Sequence, residues 1–172
     1  MDRYRFTWKN IEDEYENFIQ NDYKIITCAD YVDVKNKYDG KILINRVDVD
    51  FSIKKVERLL KIFDKLEIKA TFFVRLHAPE YNPFSFEGYK IIKKMIKSGH
   101  ELGYHSEVID ESIIWNEEPR NCLIRDLKVL NKIFDYQIKG VASHGGNTGF
   151  NNLDFWHNNK PKDFNLLYEA YD

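Results

Sequence analysis

Between residues 41 and 143 the chain repeats one unit three times: a short run of strand formers, a polar break, then a helix-period apolar stripe. The first run, 41–49, leads to Ser52, a good helix N-cap, and to the stripe Ile53, Val56, Leu59, Leu60, Phe63 and Leu66. The second run, 69–74, reads Lys-Ala-Thr-Phe-Phe-Val. After a loop over 75–83, Ser85 caps a helix with Phe86, Tyr89, Ile92, Met95 and Ile96 on its apolar face, and Gly99 stops it. The third run, 101–106, is followed by an acidic loop over 107–118. Pro119 then opens a helix whose stripe is Leu123, Leu127, Leu130 and Phe134. A fourth strand, 139–143, runs into His144-Gly145-Gly146-Asn147. Crossovers of this length imply an α/β fold, with parallel strands and right-handed connections.

Folds of this type place ligands at the C-terminal ends of their strands. The ionisable residues obey that rule. Asp48 and Asp50 end the first strand, and residues two apart on a strand share one side. Arg75 and His77 follow the second strand, His105 and Ser106 end the third, and His144 follows the fourth. Two facing carboxylates repel unless a metal or a shared proton offsets the charge. Asp, His and His from separate strands suit zinc, iron, cobalt or nickel. Such a metal lowers the pKa of a bound water and polarises a carbonyl. A second carboxylate then serves as general base, and a histidine protonates the leaving group. Plainer readings compete. The acidic pair also fits an N-cap and a loop charge. His100 sits at the far end of its strand and reads as structural, and His157 reads as surface. Arg75 reads equally as a partner for a carboxylate, Glu107 as a rim charge, and the acidic run over 111–118 as a solvated face. Phe72, Phe73 and Tyr104 read as core.

The rest of the chain narrows the class. A length of 172 residues fits one domain, and 43% hydrophobic residues supply a sizeable core for it. A formal net charge of -2 argues against a nucleic-acid partner. Cys28 and Cys122 lack the spacing of a metal knuckle and read as buried or free thiols. No run approaches the roughly 20 apolar residues of a membrane span, so the expectation is a cytoplasmic protein without one. An amphipathic helix is expected over 8–20, irregular or extended chain over 23–34, and a polar turn over 35–40. A short helix is expected near 153–156 and an extended end over 165–171. The oligomeric state is not legible.

Three blocks resemble the polysaccharide deacetylases of carbohydrate esterase family four. Val47-Asp48-Val49-Asp50-Phe51-Ser52 is similar to the family's acidic motif after its first strand. Residues 69–74 are similar to its second strand, and Gly99-His100-Glu101-Leu102-Gly103-Tyr104-His105-Ser106 to its third motif. The resemblance covers roughly residues 41–150. It implies a distorted (β/α) barrel of parallel strands, with residues 1–40 as a helical extension, in one catalytic domain over 1–172 whose C-terminal part is incomplete. It implies a divalent metal, zinc first and cobalt or nickel next, and removal of an N-acetyl group from an amino sugar or polysaccharide precursor.

By this resemblance His105 is a metal ligand, Asp48 the catalytic base and Asp50 the metal carboxylate. Val49 separates two carboxylates that are adjacent in the family, which leaves the exchanged assignment open. Ile109 stands where the family often has a second metal histidine. His144 is therefore a candidate ligand, and equally a candidate for the oxyanion or the leaving group. Arg75, His77, Glu107 and Asn147 are candidate contacts to an N-acetylated saccharide. Residues 75–83 look most like deacetylase-like proteins of bacterial surface-polysaccharide assembly. Two other readings stay open, an amidohydrolase of a small cyclic amide and a relative that binds saccharide without catalysis.

Overall fold

The computed structural model describes residues 6–171; residues 1–5 and 172, which the single-domain expectation included, lie outside the described residues. Its centre is a five-stranded parallel sheet in sequence order: β3 (Arg46–Val49), β4 (Thr71–Val74), β5 (Glu101–Ser106), β6 (Gly140–Ser143) and β7 (Tyr168–Glu169). β4, β5 and β6 are buried along their whole length, as strands covered on both faces must be. One face packs on the helices α3 (Ile53–Lys65), α4 (Phe86–Lys97) and α6 (Pro119–Phe134), through a core that includes Phe63, Phe72, Leu102, Leu130 and Val141. Burying each of those side chains is worth about 1.5–3 kcal/mol. The other face carries Cys28, Phe73 and Ala142, with Tyr168 against them. The register sets Asp48 beside Phe73, and His105 beside Ala142, so the polar strand ends look onto this second face. Among the described residues the sheet does not close into a barrel, and β3 and β7 are its edges.

The expected strand over 41–49 is two strands. β2 (Ile42–Ile44) pairs in parallel with β1 (Lys24–Ile26) in a separate two-stranded sheet, and the chain changes partner at Asn45. The Asn45 N–H donates to the Ile26 carbonyl (2.8 Å), and its carbonyl accepts from the Thr71 N–H (2.9 Å). Its side chain accepts from the Tyr15 hydroxyl (2.5 Å) and donates to the Lys69 carbonyl (3.0 Å). Tyr15 belongs to α1 (Trp8–Gln20), which forms as expected and packs Trp8, Ile11 and Tyr15 on the core.

Two segments expected to be irregular or loop are helical. Within 23–34 lies α2 (Cys28–Val34), capped by Thr27, whose hydroxyl accepts from the Asp30 N–H. Two turns are too short to display a 3.6-residue period. Within 107–118 lies α5 (Val108–Trp115); Asp110 and Glu111 in its first turn are only 3% exposed, so the acidic run over 111–118 is not a solvated face at Glu111. Ser52 occupies the N-cap of α3 without a side-chain capping bond. Gly99 ends α4 at φ 82°, a left-handed conformation that favours glycine. The helix near 153–156 is a 3-10 turn, Asn152–His157, and the extended end contains β7. Cys28 and Cys122 are buried free thiols, and no described helix is long and apolar enough to cross a membrane.

The N-terminal ends of the strands are tied by a buried carboxylate. Glu101 accepts from the Ala29 N–H (3.0 Å), the Thr71 hydroxyl (2.6 Å) and the Tyr168 hydroxyl (2.8 Å). His100 Nδ1 accepts from the Ala70 N–H at this same end, away from the polar strand ends.

Candidate metal centre

Asp50 follows β3, His105 lies in β5, and His144 follows β6. One potential ligand atom from each lies within 4.8 Å of the others. Asp50 Oδ1 is 3.3 Å from His105 Nε2 and 3.9 Å from His144 Nε2. The two imidazole rings stand perpendicular, 5.1 Å apart. His105 Nδ1 sits 2.8 Å from the Ala142 carbonyl. A carbonyl only accepts, so Nδ1 carries the hydrogen and Nε2 presents a lone pair. Burial lowers the His105 pKa, outweighing the Ala142 bond and the carboxylates of Asp48 and Asp50. The ring is therefore neutral, as coordination requires. Asp50 Oδ1 is buried without a hydrogen-bond partner. Such an acceptor costs about 1–3 kcal/mol if nothing meets it. One carboxylate oxygen facing two imidazole nitrogens is a donor set that fits zinc and similar divalent metals.

Asp48 stands beside this cluster, its Oδ2 3.8 Å from His105 Nε2. Both its oxygens are already bonded, Oδ1 to Arg46 Nε (2.9 Å) and Oδ2 to Arg46 Nη2 (2.8 Å). The Arg46 guanidinium lies 4.5 Å from the Tyr171 ring and 5.3 Å from the Phe73 ring, and donates to the Tyr171 hydroxyl. Sequence reasoning missed Arg46, although its signal was present. Residues 46, 48 and 50 share one side of the strand.

Arg75 and Glu107 form a buried pair, Nη2 to Oε1 at 2.7 Å, with both residues at most 5% exposed. Glu107 is thus not a rim charge. Its Oε1 is 3.5 Å from His144 Nδ1, longer than an ordinary hydrogen bond. Tyr81 fixes the loop that carries Arg75, accepting from the Arg75 N–H and donating to the Val49 carbonyl at 2.6 Å. Asn147 meets the site through its backbone. The Asn147 and Thr148 N–H groups, the Thr148 hydroxyl and the Asn152 side-chain amide all donate to the Asp110 carboxylate. Burial raises the Asp110 pKa, but these bonds outweigh it and the net shift is downward. Asn152 in turn accepts from the Ile109 and Asp110 N–H groups. The loop after His144 is therefore tied to the start of α5. Neither Asp110 nor Asn152 carries a sequence signal, because the bonds span about forty residues. Ile109 itself packs against the core.

His77 is drawn into a different cluster. Its Nε2 is 3.5 Å from both Glu111 Oε1 and Asp126 Oδ2. The Tyr104 hydroxyl lies 2.6 Å from Asp126 Oδ2 and 3.1 Å from Glu111 Oε1. Arg125 bonds Glu111 (2.7 Å), Asp126 (3.2 Å) and Glu117. Burial pulls the His77 pKa down, but the two carboxylates outweigh it and hold it at about 9. Arg75, His77, Glu107 and Asn147 nevertheless line one cleft of about 390 Å³ that reaches His144.

The family model described as polysaccharide deacetylase matches residues 48–154. The fold is similar to that of IcaB from Ammonifex degensii, at 18% identity and a TM-score of 0.59, covering 83% of this chain and 68% of that one. It is also similar to the Streptococcus pyogenes deacetylase PplD in complex with acetate, at 14% identity and a TM-score of 0.59, covering 78% of this chain and 61% of that one. The chain therefore spans less than two thirds of the length of PplD. Comparison with curated proteins finds no match.

Proposed function

The chain belongs to the polysaccharide deacetylase family, and from that premise we propose that it is a metal-dependent hydrolase removing an N-acetyl group from an amino sugar or saccharide precursor. The observation that carries the reading is the buried, unpartnered Asp50 Oδ1 facing His105 Nε2 and His144 Nε2. Asp50, His105 and His144 hold the metal, with zinc the best fit to this donor set and cobalt or nickel next. Bound there, the metal supplies Lewis-acid polarisation of the amide carbonyl.

Asp48 is the general base. Arg46 fixes its carboxylate with two hydrogen bonds, and Oδ2 lies 3.8 Å from His105 Nε2, beside the place where the metal would sit. The free oxygen of Asp50 and the occupied oxygens of Asp48 support this order of roles over the exchanged one. His144 has one nitrogen toward Asp50 and the other toward Glu107, so a ligand role leaves it no nitrogen free to protonate the leaving amine. The proton that Asp48 takes from water passes from the same carboxylate to the departing nitrogen. Glu107, paired with Arg75, sets a carboxylate oxygen 3.5 Å from His144 Nδ1, which favours the hydrogen on Nδ1 electrostatically without a formed hydrogen bond. The relative solved with acetate supports acetyl as the group removed. Residues 6–171, α1 included, act as one catalytic unit.

The test is metal content and acetate release together. After reconstitution with zinc the protein holds one equivalent and releases acetate from an N-acetylated saccharide, and Asp48→Asn keeps the metal but loses the release. Substoichiometric zinc, or undiminished release by the variant, overturns the reading.

A further inference from the structure

α5 buries two acids beside Val108 in its first turn and turns its C-terminal apolar residues outward. Asp110 and Glu111 are buried, while Ile113, Ile114 and Trp115 are 47%, 64% and 44% exposed. Packing normally puts the apolar side of a short helix inward, so an outward one signals a use for that side. The surface is also fixed. The Trp115 ring stands edge-on to His77 at 4.8 Å and 90°, and the Arg125 guanidinium lies 4.9 Å from its centre. His77 and Arg125 are themselves held by Glu111 and Asp126. The indole is thus immobilised and still nearly half accessible. Ile114 and Trp115 share the 390 Å³ cleft with Phe51, the residue after Asp50, and with Glu107 and His144. The cleft meets the candidate metal centre at His144.

We propose that this cleft is a saccharide subsite, taking the sugar next to the one that loses its acetyl group. The inference rests on the deacetylase reading. A cleft of this volume suits a small polar molecule with an apolar face rather than an extended lipid chain. Trp115 and Ile114 offer a wall for the flat face of a pyranose ring. His77, Glu80 and Asn147 offer polar groups for its hydroxyls. The cations here already face carboxylates, Arg75 with Glu107 and Arg125 with Glu111, so the subsite suits a neutral rather than an acidic sugar.

The probes are N-acetylglucosamine and its β1,4- and β1,6-linked tetramers, with the zinc-loaded full chain. Trp115→Ala lowers the tetramer-to-monomer ratio of kcat/KM about tenfold and weakens tetramer binding in calorimetry by a similar factor, while Trp115→Phe retains most of both. An unchanged ratio together with unchanged tetramer affinity overturns the subsite. So does a Trp115→Ala variant whose only change is loss of self-association in sedimentation, which makes the face a contact between copies. Trp115-dependent binding of tetramer without acetate release from any probe keeps the subsite and overturns the deacetylase reading instead.

Discussion

Asp50, His105 and His144 bring three potential ligand atoms within 4.8 Å of one another, and so do His77, Glu111 and Asp126. The second trio is already answered by the protein. Tyr104 and Arg125 bond its carboxylates, and His77 is held with its proton. In the first trio Asp50 Oδ1 has no donor, and burial keeps His105 neutral with a lone pair turned inward. The first trio has one carboxylate and two imidazoles, the second two carboxylates and one imidazole, and the acids of the second are the more deeply buried. What separates a ligand set from a structural knot is whether a neighbouring cation and hydroxyl have consumed the lone pairs.

The sharpest way to break this contrast is His105→Ala. Zinc affinity should fall by more than about a thousandfold, beyond the 10- to 100-fold typical of outer-shell changes, in a chelator-competition titration. Stoichiometric zinc in the variant would sink the first trio as a metal centre. Asp126→Ala should leave zinc content intact but cost about 2 kcal/mol in urea unfolding, because it removes the buried carboxylate nearest the Tyr104 hydroxyl and leaves Glu111 alone to answer Tyr104, His77 and Arg125. A loss under about 1 kcal/mol, or a loss of zinc, erases the distinction. Glu107→Gln should weaken zinc about tenfold, with Glu107→Asp intermediate; equal affinities for all three proteins remove Glu107 as the brace of His144.

The smallest effect is the pH response of the second trio. The folded His77 pKa, about 9, lies above its ordinary 6.5. Stability gained this way is fully present below about pH 6.5 and is lost as pH rises through 9. The ring is about one-third exposed, so the contribution is about 1 kcal/mol after solvent screening. The unfolding free energies of the parent and His77→Gln should therefore converge between about pH 6 and about pH 9.5. A gap that widens with pH contradicts the ion pairing.

Elements whose burial pattern repeats over three turns or more were legible in the sequence, including α1, α3, α4 and α6. Strand ends were legible too, which is why Asp50, His105 and His144 could be named before their convergence was seen. α5 was not, because a helix that buries Asp110 and Glu111 and exposes Ile113, Ile114 and Trp115 shows no single apolar stripe. α2 is too short to show a period, and the change of partner at Asn45 is marked only by the polar pair Asn45-Arg46, which a single half-buried strand also tolerates. The burial of Glu107 depends on Arg75, 32 positions earlier. No local pattern encodes such a pairing.

Asn45 also makes α1 and the strand bearing Asp48 a single cooperative unit of unfolding. Undocking α1 removes the Tyr15 hydroxyl and leaves a buried amide oxygen without a donor, at the residue where β3 begins. The amides of Val47 and Val49 should then exchange with solvent at the rate of α1 opening, rather than at that of the central strands. A segment that resembles an N-terminal appendage would set the lifetime of the ordered acidic strand.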